Sequence, residues 1–569
     1  MAELNLSGYP SIDRPWLKYY TEEAIHAPLP EGSMYDYMTE RNKERMDKTA
    51  LNYFGRKITH RQMQAEIDRC ARALVASGVK PGDVVSLCLL AVPEAVYLLY
   101  AVNKLGAVAN FLVLNATTQV LHEQIVSTNS NVVITVDLAE KQIREAVKDS
   151  GAEHVISLSL AQSMPPVAAA IYRLKAKPTP TALTPWSEFI EAGKHVDPAY
   201  PAAEKERAAV IEYTGGTTGK AKGVVISNGA ANAVAFQYVT ATGVLDVRPG
   251  QRLLEILPPF LAYGIFFGIH TAICARLEDV LCPDPAPAKF PDLFVRFKPN
   301  HFSGGPLHID AMMRDRRIQK MNLDFLYTAA YGGDGMSAEW ELAATQFLRE
   351  HHAPHGLVKG YGMTEAAATL CTEGHCIREM IPLARNNVMV CDLDTGEALP
   401  TGQEGEIFFS GPSLMTEYFG HPEETANAIR MENGVRWLRT GDLGYVSEDG
   451  SFHITGRIKR ILWATNGDVV YRVYPMAIEA VISAHRAVKQ CAVVGKPDGK
   501  RGYLIVAYVV LHGGDTSQIR AELADLCRRE LPETSWPCVY RFPEALPTTP
   551  AGKVDFRALE RMAAEEDVK

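Results

Sequence analysis

Thr214-Gly215-Gly216-Thr217-Thr218-Gly219-Lys220-Ala221-Lys222-Gly223 is the stretch that decides how this chain is read. Its glycines let backbone amides approach a polyanion closely, its threonines offer hydroxyl donors and its lysines supply charge, which together make a phosphate cradle. It is not a Walker A loop, which needs Gly five residues before the Gly219-Lys220 pair and Ser or Thr directly after it. Those positions hold Thr214 and Ala221. The flanks differ as well. Residues 209–213 and 223–226 both read as strands, whereas a Walker loop opens directly into a helix.

On either side of the loop, runs of Val, Ile and Leu alternate with helical patterns, the signature of parallel sheets covered on both faces. Met63, Ile67, Cys70, Ala71 and Leu74 recur at helical spacing and the pattern stops at Gly78. Strands are expected at 83–90, 106–113, 132–136 and 154–158, with a helix around 94–105. The segment 161–201, rich in Ala, Pro and Lys, reads as a surface connection. The most apolar run, Leu253 to Ile269, contains Glu255, Pro258, Pro259 and Gly264 and is short for a span of about 20 residues, so buried core is the better reading. After the Ser447-Glu448-Asp449-Gly450 turn, a strand at 452–455 leads into Arg457-Ile458-Lys459-Arg460. Beyond it, helices near 476–484 and 517–531 and strands at 490–494 and 503–510 suffice for a small α+β domain. The division is therefore 1–456 and 457–569.

The chain has 569 residues, above the roughly 250–300 at which a single core stops growing. With 47% hydrophobic and 22% charged residues it is too apolar for a disordered chain. Its 58 basic and 67 acidic side chains give a net charge of −9, which argues against an extended nucleic-acid footprint. Met-Ala-Glu-Leu-Asn-Leu at the amino terminus lacks the basic and apolar regions of a secretory signal, and the scattered cysteines lack the spacing of a disulfide scaffold. A cytoplasmic protein with reduced thiols and no transmembrane segment is expected. Cys371, His375, Cys376 and Cys391 lack zinc-site spacing and read as ordinary thiols.

Residues 213–223 resemble the Tyr-Thr-Ser-Gly-Thr-Thr-Gly-Lys-Pro-Lys-Gly loop of the adenylate-forming superfamily, the group that includes acyl-CoA synthetases, luciferases and peptide-synthetase adenylation domains. Gly215 replaces Ser and Ala221 replaces Pro. The resemblance continues in order. Gly360-Tyr361-Gly362-Met363-Thr364-Glu365 is similar to the second family signature, Arg439-Thr440-Gly441-Asp442 to the third, Gly456-Arg457-Ile458-Lys459 to the hinge, and Pro547-Thr548-Thr549-Pro550-Ala551-Gly552-Lys553 to the carboxy-terminal lysine motif. The fold it implies is α/β, a large amino-terminal domain of stacked sheets and helices (αβαβα-like) carrying a small mobile α+β domain.

The resemblance implies an ATP-dependent, AMP-forming ligase that makes an acyl adenylate and passes the acyl group to CoA. Thr214, Gly215, Gly216, Thr217, Thr218 and Gly219 would hold the β- and γ-phosphates with Lys222 on the leaving group, and Thr364 would donate to the α-phosphate. Glu365 would coordinate Mg²⁺. Tyr361 would stack on adenine beside Gly362, Gly333 and Asp334, and Asp442 and Arg457 would hold the ribose. Taken without the order of the motifs, Asp442 reads as a structural turn residue. Asp334, in Gly332-Gly333-Asp334-Gly335 where relatives have Gly-Gly-Ala-Pro, can accept from the adenine amino group or cap a helix beginning near Ser337. Lys553 would be the catalytic cation of adenylation and Lys459 the hinge about which the small domain rotates.

The acyl pocket would be lined by Phe260, Leu261, Tyr263, Gly305, Gly332 and Met363. Leu261 stands where many acyl-CoA ligases have His, and the Asp with which amino-acid-activating relatives pair the substrate ammonium is missing, so an apolar acid is expected. A medium- or long-chain fatty acid is favoured, with an aryl acid as alternative. The segment Ile461–Asp468, longer than in relatives, leaves open a carrier protein in trans as acceptor in place of CoA. A catalytically silent nucleotide sensor is the remote alternative, opposed by the presence of Lys553.

Overall fold

The computed structural model describes residues 6–176, 181–214, 221–240, 247–284, 286–333, 336, 338–373, 379–466, 469–498, 502–549 and 553–565. Two large sheets form the amino-terminal body. In the first, eight strands run in the order Glu417–Tyr418, Gly223–Ser227, Ala208–Tyr213, Val108–Phe111, Val84–Cys88, Val132–Val136, His154–Leu158 and Thr184–Pro185. In the second, nine strands run Met380–Pro382, Cys371–Glu373, Leu357–Tyr361, Thr328–Gly332, His301–Gly304, Arg252–Glu255, Glu278–Leu281, Thr49–Tyr53 and Arg56–Thr59. The central strands of both pair in parallel, as their continuous apolar runs require, while Gly223–Ser227 and Cys371–Glu373 toward one end of each sheet pair antiparallel.

Helices apolar all round pack on these sheets. Pro93–Lys104 is buried from Pro93 to Asn103, and Asn228–Thr240 is nearly so. The apolar run beginning at Leu253 becomes the strand Arg252–Glu255 and a π-helix, Tyr263–Thr271. His270 on that π-helix joins three helices, meeting Tyr100 Oη through Nδ1 at 3.0 Å and Asn232 Oδ1 through Nε2 at 3.0 Å. Burial pushes its pKa down to about 3, so the ring is a neutral core element.

A five-stranded antiparallel sheet completes the body: Asn387–Cys391, Gly405–Ser410, the long strand Val435–Val446, Ile429–Glu432, and Phe452–Arg457 paired on the long strand. The carboxy-terminal part follows, with a hairpin (Leu462–Asn466, Val469–Val473), a three-stranded sheet (Val488–Asp498, Gly502–Leu511, Val539–Arg541) and the helices Pro475–Ser483, Thr516–Glu530 and Phe556–Glu565. Its sheet buries both faces by strict alternation. Val493, Ile505, Ala507 and Val509 face the first two helices, while Ala492, Val494, Val506 and Tyr508 face Leu559 and Ala563 of the third.

The segment 161–201 is more structured than its composition suggests. It holds the helices Pro166–Ala176 and Trp186–Ala192, the second anchored by buried Trp186 and Phe189. Pro166 opens the first helix and Pro185 stands at the N-cap of the second, where a missing N–H costs nothing, so these prolines punctuate helices that they do not break. The post-hinge extension likewise forms the Leu462–Asn466 and Val469–Val473 hairpin.

Arg460 locks the first elements of the carboxy-terminal part together. Its guanidinium meets Glu479 Oε1 at 2.5 Å, donates to the Val493 carbonyl at 3.2 Å and lies 3.7 Å from the centre of the Phe556 ring. Both charged side chains are largely buried, so removing one strands the other. Arg460→Ala and Glu479→Ala are each expected to destabilise this part by about 3 kcal/mol or more. In urea unfolding the double variant should lose much less than the sum; strict additivity would contradict a coupled pair.

Candidate active site

Asp442 is the centre of the first cluster. It lies on the long strand Val435–Val446, in register opposite Arg457. Arg457 Nε stands 2.8 Å from its Oδ1, and the Tyr361 hydroxyl donates to its Oδ2 at 2.7 Å. Burial raises the Asp442 carboxyl above the usual carboxylate range, against which Arg457, the Tyr361 hydroxyl and Lys553 all act. Thr440 Oγ donates to the Ile407 carbonyl at 2.8 Å and accepts from the Asp442 amide at 3.0 Å, while Gly441 turns the chain at φ +70°. Thr440-Gly441-Asp442 is thus an irregularity inside a strand that aims a carboxylate, which corrects the reading as a simple turn.

Tyr361 ends the strand Leu357–Tyr361 and rests on Phe452 and Phe409, ring centres 5.3 and 6.0 Å away. Gly362 follows because a Cβ there would meet the Ala368 carbonyl oxygen at 1.5 Å. Lys553 approaches the same cluster from the carboxy-terminal part. Its Cε would lie 3.8 Å from a Cβ on Gly333, whose φ of +79° favours glycine. Thr549 N–H donates to the Lys553 carbonyl at 2.7 Å and the Lys553 amide to Thr549 Oγ1 at 3.3 Å, which fixes the backbone that presents the ammonium.

A second cluster carries the phosphate loop. Thr214 N–H donates to the Lys222 carbonyl at 3.1 Å and closes the loop's neck. Gly215, Gly216, Thr217, Thr218 and Gly219 fall outside the described residues, as does Asp334. Lys222 Nζ pairs with Glu424 Oε2 at 2.6 Å and sits 3.8 Å above the centre of the Tyr418 ring. The Tyr418 hydroxyl donates to Glu365 Oε1 at 2.8 Å. Glu365 is buried in a single 3₁₀ turn, Thr364–Ala366, whose carbonyl at 365 accepts from Met415 N–H at 2.7 Å. Lys222 and Glu365 therefore meet through one tyrosine, with Thr364 adjacent. One buried carboxylate fits Mg²⁺, which draws most of its ligands from phosphates and water. Among the described residues no group of three His, Cys, Asp or Glu gathers as a metal site; Cys371 and Cys391 are buried, and His375 and Cys376 lie outside them.

Tyr418 and Glu424 were missed by sequence reasoning. For Glu424 a signal was present, since Pro422-Glu423-Glu424 begins the helix Pro422–Ala428 with Pro in its first turn; Tyr418 is placed only by strand pairing with Val224 beside the loop.

Of the acyl-pocket residues, Phe260 is buried, and Leu261, Tyr263 and Met363 are half-buried against the main core. Gly332 lies level with Gly360 and, through the register of Gly304 with Tyr331, level with Gly305. A Cβ on Gly332 would stand 3.0 Å from the Gly360 carbonyl oxygen. Tyr263 stacks on Phe267 at 4.7 Å with 4° between ring planes. Lys459 lies in the 3₁₀ turn Ile458–Arg460 between the long-strand partner and the carboxy-terminal part.

Residues 38–419 match the family model of the AMP-binding enzymes and residues 477–553 that of the AMP-binding enzyme C-terminal domain. A long-chain-fatty-acid–CoA ligase of Bacillus subtilis strain 168 is 28% identical over 98% of both chains. A feruloyl-CoA synthase of an Amycolatopsis species is 28% identical over 89% of this chain and 94% of its own. The fold is shared with an anthranilate CoA ligase solved in complex with anthranoyl-AMP, at TM-score 0.78 and 21% identity, covering 95% of this chain and 99% of that one.

Asp442→Asn is expected to weaken ATP binding by about tenfold or more, since it loses a charge that Arg457 and Tyr361 hold in place. Tyr361→Phe, which removes only the orienting hydroxyl, should cost about fivefold. Titration calorimetry with ATP checks both; equal affinities for wild type and Asp442→Asn would remove Asp442 from the nucleotide site.

Proposed function

The chain belongs to the AMP-binding enzyme family and is an AMP-forming acid–thiol ligase; from that premise we propose that it adenylates a carboxylic acid at the Asp442 and Lys222 clusters and then transfers the acyl group to CoA. The observation that carries this reading is Lys553 standing against Gly333 and acting on Asp442 from a separate part of the chain. An ammonium at that place lies between a ribose held by Asp442 and Arg457 and an acid seated along Gly332 and Gly305. As the acid's carboxylate attacks the α-phosphate and pyrophosphate leaves, negative charge shifts across Lys553, which stabilises it without reorganising. Lys222 and the Thr214–Gly219 loop receive the pyrophosphate. Lys222 must first part from Glu424, whose carboxyl it holds below the usual range. Thr364 donates to the α-phosphate, and Tyr361 offers adenine a ring whose other contacts are fixed by Phe452 and Phe409. Glu365 would hold Mg²⁺, which would supply neutralising charge to the phosphates.

The two domains meet about 456/457: Arg457, still paired with Asp442, is the last residue held by the body's sheet, and Lys459 lies in the connection. The arrangement suits the adenylation half-reaction. Thiol attack then calls for the small domain to rotate about Lys459, breaking contacts such as Arg472 to Asp394 at 2.8 Å and Arg314 to His512 at 3.3 Å. CoA is the favoured acceptor over a carrier protein, in keeping with the coverage of both chains by CoA ligase relatives. The nine described cysteines are free thiols, in keeping with a cytoplasmic enzyme. No helix among the described residues is long and apolar enough to cross a membrane. The acid is an apolar one, a medium- or long-chain fatty acid or an aryl acid, a choice supported in both directions by the long-chain-fatty-acid–CoA ligase and feruloyl-CoA synthase relatives.

Carboxylate-dependent ATP–pyrophosphate exchange across aryl and fatty acids tests the reaction. Absence of exchange with every acid would sink it. Lys553→Ala is expected to lower exchange by about a hundredfold or more while leaving the reaction of a synthetic acyl adenylate with CoA largely intact. Equal loss of both half-reactions would contradict the rotation.

A further inference from the structure

On the helix Pro166–Ala176 the large apolar side chains face solvent. Val167, Ile171 and Leu174 are 74%, 48% and 76% exposed, and their spacing of four and three residues sets them on one helical face. Ala170 is exposed among them. Single exposed hydrophobes are ordinary on a protein surface, but a row of three on one helix is a patch.

The opposite face holds the helix to the body, so the row is fixed outward. Ala169 is buried and Tyr172 half-buried against the main core, and the Tyr172 hydroxyl donates to Asp137 Oδ1 at 3.0 Å. The chain is tied on both sides of the helix as well. Before it, Ser163 Oγ donates to Glu94 Oε1 at 2.6 Å; after it, Ala182 N–H donates to Glu140 Oε1 at 3.2 Å.

Charge says what covers the row. Arg173 and Lys175 are exposed in the last turn, and each stands a little over a quarter turn from Leu174, on opposite sides of it. Lys177 follows in the sequence, and residues 154–187 contain no Asp or Glu, in a chain whose 67 acids outnumber its 58 bases. Asp137 and Glu140, the acids that reach this segment, are engaged by Tyr172 and Ser159 and by Ser157 and Ala182. The linked helix Glu140–Ala146 exposes Lys141 and Arg144. A second copy of the chain would bring the same cations against these, so the row does not suit self-association. An apolar row edged by cations suits the headgroup region of a bilayer, where aliphatic side chains enter the acyl boundary and Lys and Arg reach back to lipid phosphates. Eleven residues are too few to cross a bilayer, which takes about 20.

We propose that the helix Pro166–Ala176 docks the protein on a membrane surface bearing anionic lipids, with Val167, Ile171 and Leu174 inserted and Arg173 and Lys175 on the headgroups. One short helix gives weak, reversible attachment. Such docking uses none of the residues of the Asp442 and Lys222 clusters.

The test is sedimentation of the full-length protein with vesicles of phosphatidylcholine alone and of phosphatidylcholine mixed with phosphatidylglycerol. The bound fraction should be large only on the mixed vesicles and should fall as salt screens the headgroups. Val167→Asp with Leu174→Asp should lower the partition coefficient by about tenfold or more, and Arg173→Gln with Lys175→Gln by several-fold. Thermal unfolding midpoints should be unchanged by all four substitutions, which separates lost docking from lost folding. Equal sedimentation on neutral and anionic vesicles, none on either, or binding kept by the Val167→Asp, Leu174→Asp variant overturns the proposal. So does a wild-type dimer in gel filtration that this variant dissociates, which gives the row to a second copy.

Discussion

The ion pair between Asp442 and Arg457, completed by the Tyr361 hydroxyl, is the junction on which the molecule depends. Tyr361 comes from the end of a parallel strand, Asp442 from an antiparallel sheet, and Arg457 from the last residue before the carboxy-terminal part. A carboxylate only 3% exposed is tolerated because a cation and a phenol meet it. Two sheets are thereby fixed around one point, to which the carboxy-terminal part brings Lys553. Preorganisation of this kind is what charge stabilisation in a transition state requires.

The same physics governs the phosphate side with opposite sign. Lys222 is held by Glu424 and by the face of Tyr418, while Tyr418 also occupies one oxygen of Glu365. A cation waiting for a polyanion is thus neither free to wander nor buried without a counter-charge. On the proposed function, a chain of net charge −9 serves a polyphosphate through cations placed locally, Lys222 and Arg457, each beside an acid.

Much of this was legible in the sequence where local chemistry dictates local geometry. The strands on either side of the phosphate loop, the helix ending near Gly78 and the lysine loop at 553 follow from periodicity, glycine and proline. The resemblance motifs come together in space as two clusters. What stayed hidden were residues whose meaning depends on register. Glu255 looked like an interruption of an apolar run, and only strand pairing sets it beside Ser303 and diagonal to Asp279. Tyr418 gave no sign of its double contact, because the two-residue strand carrying it pairs with one almost two hundred positions earlier. The helices inside 161–201 were masked by prolines that mark helix starts and loop ends with the same letter.

The energetics of the carboxy-terminal part match a unit that moves as a whole. Within it, Arg460 is paired with Glu479 in a setting where both side chains are about 14% and 13% exposed, and breaking that contact is costly. Against the body it relies on Arg472 with Asp394, whose side chains are 29% and 73% exposed, and on Arg314 with His512. Exposed pairs of this sort contribute at most about 1 kcal/mol each, because water competes for both partners. Strong bonds inside and weak ones across let the unit leave without unfolding. The junction at Arg457 stays with the body, since its partner strand is paired along Asp442 to Val446. In the proposed rotation Lys553 therefore withdraws while Asp442 remains in place, which is what a second reaction at the same site demands.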